Sequence, residues 1–219
     1  MLSPPVGTVK YHPPRPSSRP MPDIAALSAD PGIHQHRSRL LEGMAIAVGR
    51  KGYAETTIAD IVREASVSRR TFYEHFATKA ECLVALYEAA SHNALKVLRQ
   101  AVDPARDWQE QAERAIGAYL SVMAANPVLM RTLFIEILHL GPEGLAARRR
   151  VNAEIADYMV AVVNGGRGGG HVSPQMAMAV VGGIHELVLQ AIEDGKAEEL
   201  PQLTQTAAEL VKAVARSHP

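Results

Sequence analysis

Apolar residues recur at helical spacing along this chain from about residue 36 onward. Within residues 58–65, Ile58, Ile61, Val62 and Ala65 fall at positions i, i+3, i+4 and i+7, which predicts a short helix with one apolar face. No segment shows the alternation of apolar and polar residues that is typical of a strand. The pattern therefore predicts an all-α fold without internal repeats.

Prolines, glycines and capping residues divide the periodic sequence into further helices. Gly52 is expected to end the first helix, about 36–51, in a conformation with positive φ. The buried side of that helix is expected to hold Leu40, Leu41, Met44, Ala45 and Val48. A long helix is expected to begin after Thr78 and to continue to about Ala101. The remaining helices are predicted at about 108–126, 128–139, 145–164, 174–194 and 201–217.

Residues 57–79 combine two short helices, a tight turn and the start of a third helix. Thr57 and Asp60 are spaced as a capping box, Ser66 and Val67 form the turn, and Ser68 can cap the second helix. That helix opens with Arg69, Arg70 and Thr71. In a helix-turn-helix such residues enter the major groove, where Arg can donate two hydrogen bonds to guanine and Thr can contact thymine. The segment therefore predicts a DNA-binding unit in which these three side chains read bases.

Other polar residues of the same segment are expected to contact DNA phosphates. They are Thr57, Tyr73, His75 and Lys79. Phe72 and Phe76 lie on the opposite face of their helix and are expected in the core. Thr78 and Glu81 form a second predicted capping box, and Lys79 is the first residue of the helix that follows. A helix N-terminus that carries a lysine predicts a phosphate clamp.

Residues 39–86 resemble the N-terminal domain of the TetR family of bacterial transcriptional repressors. The resemblance includes the first helix, the Gly52-Tyr53 turn, the helix-turn-helix, the run TFYEHF and the lysine that opens the next helix. Ser66 stands where the family often has Gly, and Val48 where it often has Phe, but neither removes a DNA-facing group. The resemblance implies a three-helix DNA-binding domain joined by a long helix to a larger helical domain for ligand binding and dimerisation.

Charge is distributed unevenly along the 219 residues, although 23 Lys and Arg balance 23 Asp and Glu. Residues 34–80 hold eight basic against five acidic residues, whereas residues 81–219 hold twelve against sixteen. A basic head on an acidic body is typical of a DNA-binding protein whose second domain has another role. We therefore predict a helix-turn-helix head, 34–80, and an effector-binding and dimerisation body, 81–219.

The first 33 residues contain eight of the fourteen prolines, so regular helix is not expected there. Two interpretations remain open for this arm. It can enter the minor groove of DNA, or it is a passive tail, including the case in which translation starts at Met21. His34 and His36 have no further ligands nearby and are expected to be exposed rather than metal-binding.

Several features exclude other classes of protein. The lone cysteine, Cys82, cannot form an intrachain disulfide and fits a reducing cytoplasm. No apolar run of membrane-spanning length is apparent, so no membrane partner is expected. The glycine-rich stretch 164–171 lacks the ending of a phosphate-binding loop, and His185-Glu186 lacks the second His of a zinc protease because Leu189 stands there. No catalytic residue, metal or cofactor is therefore expected.

The helices of the body provide candidates for two further surfaces. The apolar walls of a ligand pocket are expected from Tyr119, Met123, Met130, Phe134, Ile137, Tyr158 and Met159. Its polar anchors are expected from Glu136, His139 and His185. The dimer interface is expected from Met176, Ala177, Val180, Val181, Ile184, Leu187, Val188, Ala191, Leu203, Ala207, Leu210, Val211 and Val214. The alternative for both sets is ordinary close packing within one chain.

These observations predict a ligand-responsive repressor that binds a near-palindromic operator in double-stranded DNA as a homodimer. A mostly apolar small molecule is expected to release it. Two alternatives remain: a dimeric DNA-binding regulator without an effector, and an enzyme or carrier whose DNA-binding head is a vestige.

Overall fold

The computed structural model describes residues 31–166 and 170–216. The predictions for residues 1–30, including a start at Met21, and for the middle of the glycine-rich stretch lie outside these residues. Nine α-helices occur in the described part of the chain. They are α1 (Pro31–Glu55), α2 (Ile58–Ala65), α3 (Arg69–His75), α4 (Lys79–Gln100), α5 (Trp108–Ala124), α6 (Pro127–Phe134), α7 (Pro142–Gly165), α8 (Pro174–Glu193) and α9 (Thr204–Arg216). Two 3-10 segments, Glu136–Leu140 and Ala197–Leu203, complete the secondary structure, so the all-α prediction is confirmed.

Local sequence signals explain most of the helix ends. Gly52 interrupts α1 with φ 79°, as predicted. The first helix nevertheless begins at Pro31, inside the segment expected to form the arm. The predicted helix 201–217 begins only at Thr204, because Pro201, which has no N–H to donate, lies within the preceding 3-10 segment. At α4 the Thr78 hydroxyl accepts from the Glu81 N–H, but the Glu81 carboxylate accepts from the Ala77 N–H instead of that of Thr78.

Helices α1, α2 and α3 form the head around a fully buried centre that includes Leu40, Met44, Ile61 and Phe72. The backbones of α1 and α2 approach each other closely at Gly43. A Cβ added there would lie only 2.6 Å from the carbonyl oxygen of Ile61. Phe72 and Phe76 are buried, as predicted. Cys82, in the first turn of α4, is also fully buried below this centre, and its burial raises the pKa of the thiol.

The remaining helices form the body, and two helices connect it to the head. Helix α4 begins beside the head and packs on α5 and α7 of the body. Helix α1 also contacts α6. The contact is close at Gly49, where an added Cβ would lie only 2.4 Å from Cγ1 of Val128. The hydrophobic core is therefore continuous from the head to the body.

Helix α8 is long and apolar enough to cross a membrane, with a mean hydropathy of 1.3 over its most apolar stretch. This differs from the expectation that no segment has these properties. A core helix of a soluble protein has the same length and composition, and one face of α8 is packed against the body here.

Candidate functional site

Short-range hydrogen bonds fix the turn between α2 and α3. The Thr57 hydroxyl accepts from the Asp60 N–H at 3.2 Å, and the Asp60 carboxylate accepts from the Thr57 N–H at 2.9 Å, which confirms the capping box. Ser66 has φ 51°, and its N–H donates to carbonyl oxygens at the end of α2. Ser68 then caps α3 by accepting from the Thr71 N–H at 3.0 Å. The turn is thus built from the residues that the sequence indicated.

The acidic residues of α2 are neutralised by basic residues of the head. Lys51 lies 2.5 Å and Arg63 lies 3.0 Å from the Asp60 carboxylate, while Arg50 lies 2.7 Å from Glu64. Hydrogen bonds from Lys51 and Thr57 hold the pKa of the Asp60 carboxyl well below its usual range. These carboxylates therefore contribute little free negative charge to the surface of the head.

The start of α3 presents the predicted base-reading residues. Arg69 and Arg70 are exposed, whereas Thr71 is partly buried and its hydroxyl lies 2.9 Å from that of Ser68. The Arg70 side chain is 89% exposed and donates from Nε to Glu74 at 3.1 Å. No role is predicted for Glu74 from the sequence, but the i, i+4 spacing of Arg70 and Glu74 is a signal for this ion pair. Arg70 must therefore leave a weak ion pair before it can contact DNA.

Three of the four predicted phosphate contacts are exposed or partly exposed. Tyr73 is 60% exposed, Thr57 is exposed, and His75 is partly buried with its ring 6.5 Å from that of His36. The Thr57 hydroxyl already donates to the Asp60 carboxylate at 2.6 Å. A phosphate contact from Thr57 would therefore compete with its role in the cap.

The fourth residue, Lys79, is directed into the protein instead. Its Nζ donates to the carbonyl oxygens of Tyr53, Ala54 and Thr56 at 3.0, 3.3 and 2.9 Å, and it lies 4.4 Å from the centroid of the Tyr53 ring. The Tyr53 carbonyl also accepts from the Thr56 N–H at 3.2 Å, and the three N–H groups of one ammonium can donate to all three carbonyl oxygens. In this structure Lys79 thus holds the end of α1 and the residue after it, and its predicted contact with a DNA phosphate stays a prediction.

Glu136 meets the same segment of the chain from the side of the body. This buried carboxylate accepts from the Tyr53 N–H at 2.9 Å, and it lies 3.3 Å from Nδ1 of His139. Neither Glu136 nor His139 lines the two cavities of the body described below, so their role as polar anchors stays a prediction. Glu136 instead lines a groove between α1 and the body, and Ile137, predicted as a pocket wall, is fully buried in the core. The segment 52–56 is thus held by Lys79 through its carbonyl groups and by Glu136 through an N–H group, and we call it the joint.

Two cavities open within the body, and the other seven predicted pocket residues line one or both. The first encloses about 600 Å³, part of it open to solvent. Its walls include Leu98, Ala112, Ala115, Ile116, Tyr119, Ile155, Tyr158, Met159, Val162, Val163, Val181, Ile184, His185 and Val211. The second encloses about 930 Å³, again partly open. Predicted residues in its walls are Tyr119, Met123, Met130, Phe134 and His185, beside polar residues of α4.

Tyr119 and His185 stand between the two cavities. The Tyr119 hydroxyl lies 3.2 Å from Nε2 of His185, and the Phe134 ring packs edge-on against the imidazole at 5.4 Å between centroids. Burial, with a smaller effect from the positive charge of Arg148, lowers the pKa of His185 to about 4. Burial also raises the pKa of the Tyr119 hydroxyl. Both side chains are therefore neutral near pH 7 and form a polar but uncharged partition.

The predicted dimer residues divide into two groups in the structure. Seven of them, Ala177, Val180, Val181, Ile184, Val188, Ala207 and Val211, are buried by their own chain. Their assignment to the interface is corrected, because side chains already packed in the core cannot form the surface that a partner contacts. Met176 is exposed, and Leu187, Ala191, Leu203, Leu210 and Val214 are partly buried. The outer face of α8 instead combines small and flexible residues, namely Met176, Met178, Ala179, Gly182 and Gly183, with the polar residues Gln175, Glu186 and Gln190.

Comparisons with known proteins match the head to bacterial regulators. The family profile described as bacterial regulatory proteins, tetR family, matches residues 42–86. An 80-residue segment is 31% identical to YxbF, an uncharacterized HTH-type transcriptional regulator of Bacillus subtilis; it covers 36% of this chain and 21% of that protein. The chain thus spans about a fifth of the length of this curated relative.

Solved structures extend the similarity to the body. FadR from Bacillus subtilis, in complex with stearoyl-CoA, superposes with a TM-score of 0.69 at 15% identity, over 79% of this chain and 96% of that one. The fatty acid degradation regulator FadR from Bacillus halodurans gives a TM-score of 0.72 at 16% identity, over 80% and 94% of the two chains. At these identities the likeness shows the fold.

Proposed function

The chain belongs to the TetR family of bacterial regulatory proteins, and on that premise we propose that it is a DNA-binding, ligand-responsive transcriptional repressor. It binds a near-palindromic operator as a homodimer and leaves the DNA when a mostly apolar small molecule occupies its body. The observation that carries this proposal is the continuous packing between a helix-turn-helix head and a body that contains apolar cavities.

Base recognition is assigned to Arg69, Arg70 and Thr71, with Tyr73, His75 and Thr57 on the flanking phosphates. The exposure of both arginines at the start of α3 supports this assignment. Two heads of a dimer reach successive major grooves when their recognition helices are about 34 to 36 Å apart. The operator is therefore expected to contain two half-sites related by the symmetry of the dimer.

Dimerisation is assigned to the outer face of α8, with the partly buried apolar residues of α9 beside it. The glycines of this face would allow a partner helix to approach closely, and two such helices from each chain form a four-helix bundle. Gly182→Arg tests the assignment, because an added Cβ at Gly182 meets nothing within 4 Å in the single chain. We expect this variant to be a folded monomer in sedimentation. Gly165→Arg is the control, since Gly165 also has open space around it, and it is expected to remain dimeric.

The ligand is assigned to the two cavities of the body. Stearoyl-CoA, the ligand in the complex of Bacillus subtilis FadR, joins a long apolar chain to a charged group, and this supports an apolar component in the present ligand as well. A ligand shifts DNA affinity only through its different affinities for the two conformations of the dimer. A typical coupling of about 1 to 3 kcal/mol would weaken operator binding about 5-fold to 150-fold.

The test has two stages. Operator fragments are first selected from random or genomic DNA, and binding is compared between the wild type, the double variant Arg69→Ala, Arg70→Ala and the exposed body control Arg149→Ala. Only the double variant is expected to lose sequence-specific binding, at about 1 to 3 kcal/mol for each bidentate contact. Small molecules that raise the melting temperature are then added to the operator complex. Unchanged operator affinity with every binder would favour the alternative of an effector-independent regulator.

A further inference from the structure

One face of α5 lines both cavities from end to end. Ala112, Ala115 and Ile116 lie in the wall of the first cavity, and Tyr119 lies in the walls of both. The second cavity continues along the same face with Val122 and Met123, and it is also lined by Asn126 at the start of α6. On α5 this stripe covers eleven helical steps from residue 112 to residue 123, which corresponds to about 16 Å at 1.5 Å per residue. The cavities are therefore arranged in line along α5.

Helices α4 and α7 give the same order. On α7, Val151 lines the second cavity, whereas residues from Ile155 to Val163 line the first. On α4, residues from Tyr87 to Lys96 line the second cavity and Leu98 lines the first. Three helices thus define one long space with a single partition, the Tyr119–His185 pair.

The two ends of this space differ in polarity. No charged side chain lines the first cavity, whose walls are aliphatic and aromatic apart from the partition. The second cavity is lined along α4 by Ser91, His92, Asn93 and Lys96. His92 lies 3.6 Å from Glu154, whereas Lys96 is exposed and forms no ion pair with any residue that the structure describes. Among the described residues that line this cavity, Lys96 is the only lysine or arginine and no carboxylate is present.

We propose that the two cavities form one site for a linear amphiphilic anion, with its alkyl chain in the first cavity and its charged head beside Lys96. This inference rests on the proposed function, because it names the ligand class of the same site. Tyr119 and His185 are its specificity-determining residues, since the chain must pass between them or displace their contact. Both are neutral near pH 7, so an alkyl chain can lie against them without burying a charge.

Fatty carboxylates of increasing length test the geometry. Octanoate, dodecanoate and hexadecanoate are titrated calorimetrically below the concentrations at which they form micelles. Burial of each additional methylene group in the first cavity is expected to tighten binding about twofold to fourfold. Ala115→Phe fills the first cavity and should abolish this dependence on length while octanoate binding is retained. Val162→Phe, at a partly exposed wall of the same cavity, serves if Ala115→Phe fails to fold.

The charged end is tested separately. Lys96→Gln is expected to weaken all three carboxylates by a similar factor, about 1.5-fold to 5-fold for the loss of an exposed ion pair, whereas the exposed body control Lys196→Gln should have no effect. The affinities of hexadecanoate and hexadecanoyl-CoA are then compared. Tighter binding of hexadecanoate indicates that the site accepts a carboxylate as the charged group, and tighter binding of hexadecanoyl-CoA indicates that it accepts the phosphates of the thioester. Binding of either supports the proposed class.

Three results would overturn the inference: equal affinity for all chain lengths, a length dependence that survives filling of the first cavity, or equally tight binding of cholate, a rigid fused-ring anion. If carboxylates fail but another apolar compound binds and weakens the operator complex, the proposed function stands and only this ligand class is wrong.

Discussion

Replacing Lys79 by Met distinguishes two roles for this lysine. A contact to the carbonyl groups of the joint affects the free energy of unfolding, whereas a contact to a DNA phosphate affects the salt dependence of DNA binding. The ammonium satisfies three carbonyl groups of the joint at 2.9 to 3.3 Å and lies over the Tyr53 ring. Hydrogen bonds to charged groups contribute about 1.5 to 3 kcal/mol each before non-additivity. Because the joint is only partly buried and water can replace some of these contacts, we expect Lys79→Met to lower the free energy of unfolding by about 2 to 3 kcal/mol.

The same substitution should leave the salt dependence of DNA binding unchanged. Loss of one phosphate contact lowers the slope of log K against log salt by about 0.9. Urea unfolding and operator titration at several salt concentrations measure both quantities on one preparation. Lys196→Met, which removes an exposed charge from the body, controls for net charge. A slope reduced by nearly one with unchanged stability would show that Lys79 binds phosphate and that the capping argument is wrong.

Three other substitutions follow from contacts in the head and the body. Glu74→Gln frees Arg70 from an exposed ion pair worth about 0.3 to 0.5 kcal/mol and removes a negative charge near DNA, so operator binding in a gel shift should tighten about twofold or more; weaker binding would indicate that Glu74 itself accepts from a base. Glu136→Ala leaves the Tyr53 N–H without its partner and should cost about 1 to 3 kcal/mol in urea unfolding, whereas Glu136→Gln keeps an acceptor and should cost less. For His185 the folded pKa of about 4 lies below the unfolded value, so the unfolded state binds the proton first and stability falls as pH decreases from about 6.5 towards 4. Between about pH 7 and pH 5 this amounts to about 2 kcal/mol, and His185→Gln should lose that part of the pH dependence; an unchanged profile would contradict the burial argument.

The helix caps and helix breaks could be predicted from the sequence, because they depend on contacts between residues that are close together in the chain. The caps at Thr57 and Ser68 and the break at Gly52 each depend on side chains or backbone within four residues, so their chemistry can be recognised before the fold is known. The exposure of Arg69 and Arg70 also follows from their positions in such a unit.

Long-range contacts explain where the structure departs from what the sequence predicts. A lysine at the start of a helix looks the same in sequence whether its ammonium binds a phosphate or the carbonyl groups of Tyr53 and Thr56, more than twenty residues away. Glu136 lies 83 positions from Tyr53, so no local pattern indicates their hydrogen bond. Helix α8 is apolar on most of its circumference, and periodicity alone could not show which face its own chain would cover.

The burial of Cys82 makes the chain convenient for site-specific labelling. Its thiol is inaccessible and resists deprotonation, and the thiolate is the form that reacts with maleimides and methanethiosulfonates. A cysteine introduced at an exposed position, such as Tyr73→Cys on α3, would therefore be the site that reacts in the folded protein, with Cys82 left in place. Spin labels attached there in both chains of a dimer would report the separation of the recognition helices as a distance distribution, with and without a candidate ligand.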